Sequence, residues 1–211
     1  VIGSVVFDVG ETLVDDTREW WAWADWLGVP PHTMSALVGA VTVQGRDNAD
    51  ALRLIRPGLD LAAERRARVA AGVGEQITEA DLYSDVRPAL AELRDRGLWV
   101  GVAGNQTARA GGLLRGLGLP ADAVATSQEW GVAKPDPAFF ARVTEWAPGA
   151  PGEILYVGDH PANDIGPAKA AGLRTALVRR GPWGHLWADE PAGRAADWLI
   201  DGLTELPALL A

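Results

Sequence analysis

The chain has 211 residues, 48% of them hydrophobic and 22% charged, which is enough apolar material for a sizeable core and excludes disorder as the main state. Acidic side chains outnumber basic ones by 28 to 19, and the net charge of -9 opposes a phosphate backbone, so no nucleic-acid partner is expected. Zero cysteines remove disulfides, thiolate nucleophiles and Cys-ligated metal centres. No apolar run approaches the ~18 residues of a membrane span, so the expectation is a cytoplasmic protein with no membrane contact, no anchor and no secretory signal.

In chain order, Ile2-Gly3-Ser4-Val5-Val6-Phe7 is a β-branched run halted by Asp8 and Gly10, the pattern of a buried strand ending in a loop. From Asp16 to about Ala80 no run is strand-like. Segments 17–27, 33–43, 47–55 and 61–71 have helical spacing, so residues 17–83 are predicted to be an all-helical insertion. Acidic, turn-forming sequence flanks it, Asp15-Asp16 before and Tyr83-Ser84-Asp85 after. Pro88 opens a helix that Gly97 stops, and Asp136 caps another with Pro137 in its first turn. Runs 98–103, 123–126, 154–157 and 175–178 read as strands, with 198–200 a weaker sixth. Strands alternating with helices predict an α/β fold, a doubly wound parallel sheet built from residues 1–16 and 84–211.

Open parallel sheets bind ligands beyond the carboxyl ends of their strands, so the residues after each run are the ones to collect. Four ends supply Asp8, Gly10 and Thr12; Gly104 and Asn105; Lys134; and Gly158-Asp159 with Asp164. Carboxylates converging with one ammonium describe a Mg²⁺ site facing a phosphoryl-binding cradle, because hard oxygen ligands suit that ion. Lysine is scarce, Lys134 and Lys169 being the two in the chain, which narrows any role that needs an amine.

The segments Phe7-Asp8-Val9-Gly10-Glu11-Thr12-Leu13, Val132-Ala133-Lys134-Pro135-Asp136-Pro137 and Tyr156-Val157-Gly158-Asp159-His160-Pro161-Ala162-Asn163-Asp164 resemble three signature motifs of the haloacid dehalogenase-like (HAD) hydrolase superfamily. The resemblance spans nearly the whole chain and places the helical insertion where that superfamily carries its C1 cap. It implies a Rossmann-like core and a phosphatase of a small phosphorylated metabolite, with Asp8 as the nucleophile that forms an aspartyl-phosphate. It further implies Mg²⁺ held by Asp8, the Gly10 carbonyl and Asp159, with Asp164 supporting the metal or its waters. Lys134 would hold Asp8 and the phosphoryl oxygens, Thr12 would steady the loop through its hydroxyl, and Gly104 and Asn105 would face the phosphate.

Two positions depart from that pattern. The superfamily's phosphatases place an acid/base Asp where this chain has Gly10, and such a group is typically worth ~10²–10⁴-fold. Gly104 stands where Ser or Thr would bond the phosphoryl group, and its N–H or the Thr107 hydroxyl are the available substitutes. Glu11, His160 and His32 are the candidates for the missing acid, although Glu11 on an extended segment should point away. The metal-binding pattern disfavours the metal-free dehalogenase branch, and the absence of lysine from residues 16–80 argues against a phosphonatase with a Schiff-base lysine. A catalytically impaired protein that binds phosphate and Mg²⁺ for regulation or assembly is the alternative.

Other features read as scaffold. Trp20, Trp23 and Trp26 share a helical face, first as core of the insertion and second as a substrate wall. Arg46, Arg53 and Arg56 are either solvated or an anion-binding face. Lys169 reads as solvated. The sequon Asn105-Gln106-Thr107 lies in the expected active-site loop and is discounted, and neither a dinucleotide fingerprint nor a His spacing suited to zinc is present.

Overall fold

The computed structural model describes residues 1–210. Contacts divide the chain into two compact units, Val1–Asp15 with Thr78–Ala211, and Asp16–Ile77. The second unit is helical: α1 (Thr17–Leu27), α2 (Pro31–Val43), α3 (Asp50–Ile55) and α4 (Leu61–Ala70). Its core is Trp23, Ala24, Met34, Val38, Val41 and Leu52, with Trp20 and Trp26 packed against them. The tryptophan face is therefore core, and Trp21, outside the three-residue spacing, is half exposed. Arg68 lies inside this unit, paired with Glu19 at 2.6 Å and 4.2 Å from the Trp23 ring centre. The arginines considered as an anion face are in ion pairs instead, Arg46 and Arg53 with Asp50 and Arg56 with Glu64.

The other unit contains α5 (Val86–Asp95), α6 (Ala108–Gly116), α7 (Ser127–Trp130), α8 (Pro137–Trp146), α9 (Gly166–Ala170), α10 (Gly181–Trp187) and α11 (Leu206–Leu209). Its strands are β1 (Ser4–Phe7), β2 (Trp99–Gly104), β3 (Ala123–Thr126), β4 (Ile154–Gly158), β5 (Arg174–Val178) and β6 (Trp198–Ile200). All are parallel, in the order β3-β2-β1-β4-β5-β6. The first strand thus lies in the interior of the sheet, with Val5 opposite Val100 on one side and Leu155 on the other. A strand paired along both edges and covered on both faces has to be free of unmet polar groups. Ser4–Phe7 is buried throughout, and the Ser4 hydroxyl donates to the Pro148 carbonyl at 2.6 Å. Connections diverge on either side of β1, which opens a crevice beyond its carboxyl end.

Beneath that crevice, Val6, Phe139, Phe140, Val143, Ile154 and Tyr156 form one buried cluster. Phe140 meets Phe139 and Tyr156 edge-on, at 5.3 and 5.1 Å between ring centres. The Tyr156 hydroxyl crosses under β1 to donate to the Ala103 carbonyl at 2.8 Å, so the burial of its oxygen is compensated.

The chain re-enters the sheet unit at Thr78, earlier than the expected boundary at residue 84. The cause is main-chain pairing. Asp15 N–H donates to the Asp81 carbonyl, Tyr83 N–H donates to the Leu13 carbonyl, and Val14 bridges Leu82 antiparallel, fastening the returning segment to the loop after β1.

Phe140→Ala should cost about 3–5 kcal/mol of stability through the cavity it leaves. Urea unfolding measures it, and a loss below about 1 kcal/mol would contradict the cluster as the main core of the sheet unit.

Candidate active site

Two strand ends and one loop deliver the charged groups. Asp8 follows β1, and its main-chain N–H donates to the Val157 carbonyl of β4 at 2.8 Å. Asp159 follows β4, and Asp164 lies one short helical turn further along. Lys134 comes from the loop before α8, with its Nζ 2.6 Å from Asp8 Oδ1 and 2.7 Å from Asp164 Oδ1. All four residues are buried. The ammonium rests above aromatic rings, 5.4 Å from the centre of Tyr156 and 5.9 Å from that of Phe139.

Glycines and amides make this arrangement possible. A Cβ on Gly104 would clash with Asp8 Oδ1, and a Cβ on Gly158 would clash with the Asp164 carboxylate. Gly104 therefore provides the space into which the Asp8 carboxylate turns toward Lys134. Asp164 is held at its second oxygen by the His160 N–H at 2.9 Å. Asn105 clasps the main chain of Lys134, donating from Nδ2 to its carbonyl and accepting its N–H, both at 2.8 Å. The side chain expected to face a phosphoryl group is instead engaged with the lysine that would do so. Its expected role is corrected to fixing Lys134, because a two-point amide clasp leaves little freedom to turn.

The remaining candidates fall into place as follows. Thr12 is buried, yet its Oγ1 has no hydrogen-bond partner, contrary to the loop-steadying bond expected of it. The loop is held by main chain instead: the Val9 carbonyl accepts from Thr12, Leu13 and Val14. Thr107 caps α6 by accepting the Ala110 N–H at 3.0 Å, so its oxygen is used within its own turn. His160 stacks on Trp183 with ring centres 3.6 Å apart, and its Nδ1 accepts the Asn163 N–H at 3.2 Å. His32 lies exposed in the helical unit.

Glu11 overturns its expectation. It is not on an extended segment but in the left-handed region, at φ 52°, the one non-glycine residue there among the described residues. Its carboxylate accepts from the Tyr83 hydroxyl at 2.5 Å, and its charge reaches Asp159. Alternation of side chains holds only along a strand, and the strand ends at Phe7. Reading beyond the end of β5 by the same strand-end rule would also have found Arg180 and Gly181, which reach this loop.

Electrostatically the site is short of positive charge. Burial, opposed by Lys134 and reinforced by Asp164, raises the Asp8 carboxyl from 3.8 to about 6. Burial and the charges of Asp164, Asp8 and Glu11 raise Asp159 well above the usual range. Burial disfavours the Lys134 ammonium, but Asp164 and Asp8 outweigh it and hold the amine protonated. Asp8, Asp159 and Asp164 each offer an oxygen within 4.8 Å of the others. Three carboxylates against one ammonium leave an excess of negative charge lined by hard oxygen donors, which fits a divalent cation of the Mg²⁺ type.

A family model described as haloacid dehalogenase-like hydrolase matches residues 2–172. The chain belongs to the haloacid dehalogenase-like hydrolase family. Among HAD relatives, a phosphoserine phosphatase from Thermus thermophilus is 36% identical over 138 residues, 61% of this chain and 54% of that protein. The chain spans about half the length of the curated relatives it matches. Among solved HAD structures, a phosphatase from Thermococcus onnurineus superposes with a TM-score of 0.66 at 22% identity, covering 100% of this chain and 98% of the other. An L-2-haloacid dehalogenase from Xanthobacter autotrophicus with chloropropionic acid covalently bound gives 0.65 at 22% identity, with the same coverage. At that identity both demonstrate the shared HAD fold. Among the described residues, no helix is long and apolar enough to cross a membrane.

Two outcomes follow. An acid whose folded value lies at about 6 rather than 3.8 keeps its proton longer in the folded chain, so metal-free stability should fall as the pH climbs between those values. Asp8→Asn should flatten that slope, measured by denaturant titration across the same pH range. Gly104→Ser should drive the Asp8 carboxylate away from Lys134, visible as a lost ion pair in a crystal structure of the variant.

Proposed function

We propose that this chain is a Mg²⁺-dependent hydrolase of small phosphate monoesters that works through an aspartyl-phosphate on Asp8. The observation that carries the reading is the Asp8 carboxylate fixed 2.6 Å from a buried ammonium, with the carboxylates of Asp159 and Asp164 beside it. Phosphatase-named relatives support it from the side of sequence. In this reading Asp8, the Gly10 carbonyl and Asp159 hold the ion, Asp164 orients its surroundings, and the helical insertion serves as the C1 cap that selects substrate. When bound, Mg²⁺ neutralises the phosphoryl oxygens and the excess carboxylate charge.

The residues divide the work. An Asp8 oxygen attacks phosphorus as the bond to the leaving oxygen breaks, and water then attacks the aspartyl-phosphate, releasing phosphate and restoring Asp8. Lys134 fixes Asp8 and offers positive charge to the phosphoryl oxygens, and Asn105 keeps Lys134 in place. Gly104 offers no side chain to a phosphoryl oxygen, and its main chain is paired with Thr126 of β3. Gly10 has no side chain to protonate the leaving group, so that oxygen takes its proton from water. Poor leaving groups should therefore react slowly, whereas acyl phosphates and aryl phosphates need no acid.

A second reading rests on the same absence at Gly10: a protein that binds phosphate and Mg²⁺ without appreciable turnover, for regulation or assembly. Phosphate release from p-nitrophenyl phosphate and a panel of sugar, nucleotide and small-acid monoesters, with Mg²⁺ or EDTA, separates the two. Metal-dependent turnover is expected, falling by at least ~10³-fold in Asp8→Asn. Binding of phosphate and Mg²⁺ with no turnover across the panel would favour the second reading. Gly10→Asp should raise the rate on alkyl phosphates by ~10²-fold or more while changing aryl phosphates little, and equal effects on both would refute the leaving-group account.

A further inference from the structure

The loop that carries Asp8 and Gly10 turns sharply at Glu11, whose N–H donates to the Val14 carbonyl. That turn is left-handed, a conformation that costs a residue with a Cβ but not a glycine. Four contacts hold it. The Tyr83 hydroxyl donates to Glu11 Oε2 at 2.5 Å, and Arg180 Nη1 donates to the Thr12 carbonyl at 2.8 Å. The Arg180 guanidinium lies 4.3 Å from the Tyr83 ring centre and is itself anchored by an ion pair to Asp85. Gly181, also left-handed, lies against the Glu11 side chain so closely that a Cβ there would fall 2.5 Å from Glu11 Cγ. Burial and the Glu11 charge hold the Tyr83 phenol well above its usual value, so it acts as a permanent donor.

We propose that Tyr83 is a positioning residue for the metal and nucleophile loop: through Glu11 it holds the strained turn, and so keeps the Gly10 carbonyl and Asp8 carboxylate in register for a divalent cation. Arg180 supports it by fixing the Tyr83 ring and the Thr12 carbonyl. Tyr83 touches none of the reacting atoms; it acts on the loop alone. The inference rests on the Mg²⁺ reading of the site given above.

The decisive property is that the need for Tyr83 should vanish if residue 11 no longer resists the turn. Mg²⁺ binding, measured calorimetrically on the metal-free protein, is compared for wild type, Tyr83→Phe, Glu11→Gly and the double variant, with thermal unfolding alongside. The expected result is ~10-fold weaker Mg²⁺ binding in Tyr83→Phe and less than ~2-fold change when the same substitution is made on Glu11→Gly. Equal weakening in both backgrounds, or unchanged Mg²⁺ affinity with a lowered unfolding temperature, would mean that Tyr83 is merely structural and would overturn the proposal. Failure of the wild type to bind Mg²⁺ would overturn the reading of the site itself, and this inference with it, which is a different result from wild-type binding that Tyr83→Phe leaves intact.

Discussion

A buried ammonium between two carboxylates is the constraint on which the sheet unit's architecture turns. Lys134 reaches Asp8 and Asp164 at ion-pair distance from a loop that neither of them belongs to. Charges removed from water are tolerated only with close, well-directed partners, and breaking such a pair typically costs 3–5 kcal/mol. The neighbouring residues can be understood from that requirement. Gly104 and Gly158 are small because the two carboxylates occupy the space their side chains would take, and Asn105 holds the lysine's own main chain. The aromatic floor of Tyr156 and Phe139 lies against the ammonium.

The loop after β1 solves a second problem by main-chain means. The Val9 carbonyl gathers three N–H groups, and the threonine expected to brace the loop makes no side-chain bond at all. Side-chain support comes from outside the loop, through Tyr83 on the segment returning from the helical unit and Arg180 beyond β5. Residues far apart in sequence thus share responsibility for a turn of a few residues.

Much of this was legible in the sequence. The β-branched runs ending in Asp8 and Asp159 announce strands, because period and composition are local properties. The convergence of Asp8, Lys134, Asp159 and Asp164 follows from the rule that parallel strands present ligands at their carboxyl ends. What escaped was tertiary. Nothing local distinguishes an Asn that faces substrate from one that clasps a neighbouring loop, as Asn105 does. The conformation of Glu11 lies outside the reach of side-chain alternation, which ends with the strand at Phe7. The helix α6 hides behind paired glycines, and Gly111 is there for a reason visible only in three dimensions: a Cβ would lie 2.9 Å from Thr126 Cγ2.

The burial of Lys134 also bears on how the molecule can be handled. Acylating reagents require an accessible, unprotonated amine, and this one is enclosed and held in its charged form. The other lysine, Lys169, is over a third exposed, in a surface ion pair with Asp197 at 3.3 Å, a contact that restrains it weakly. Among lysine side chains, amine-directed labelling or immobilisation would therefore attach at Lys169, giving a handle of defined position that leaves the candidate site chemically untouched.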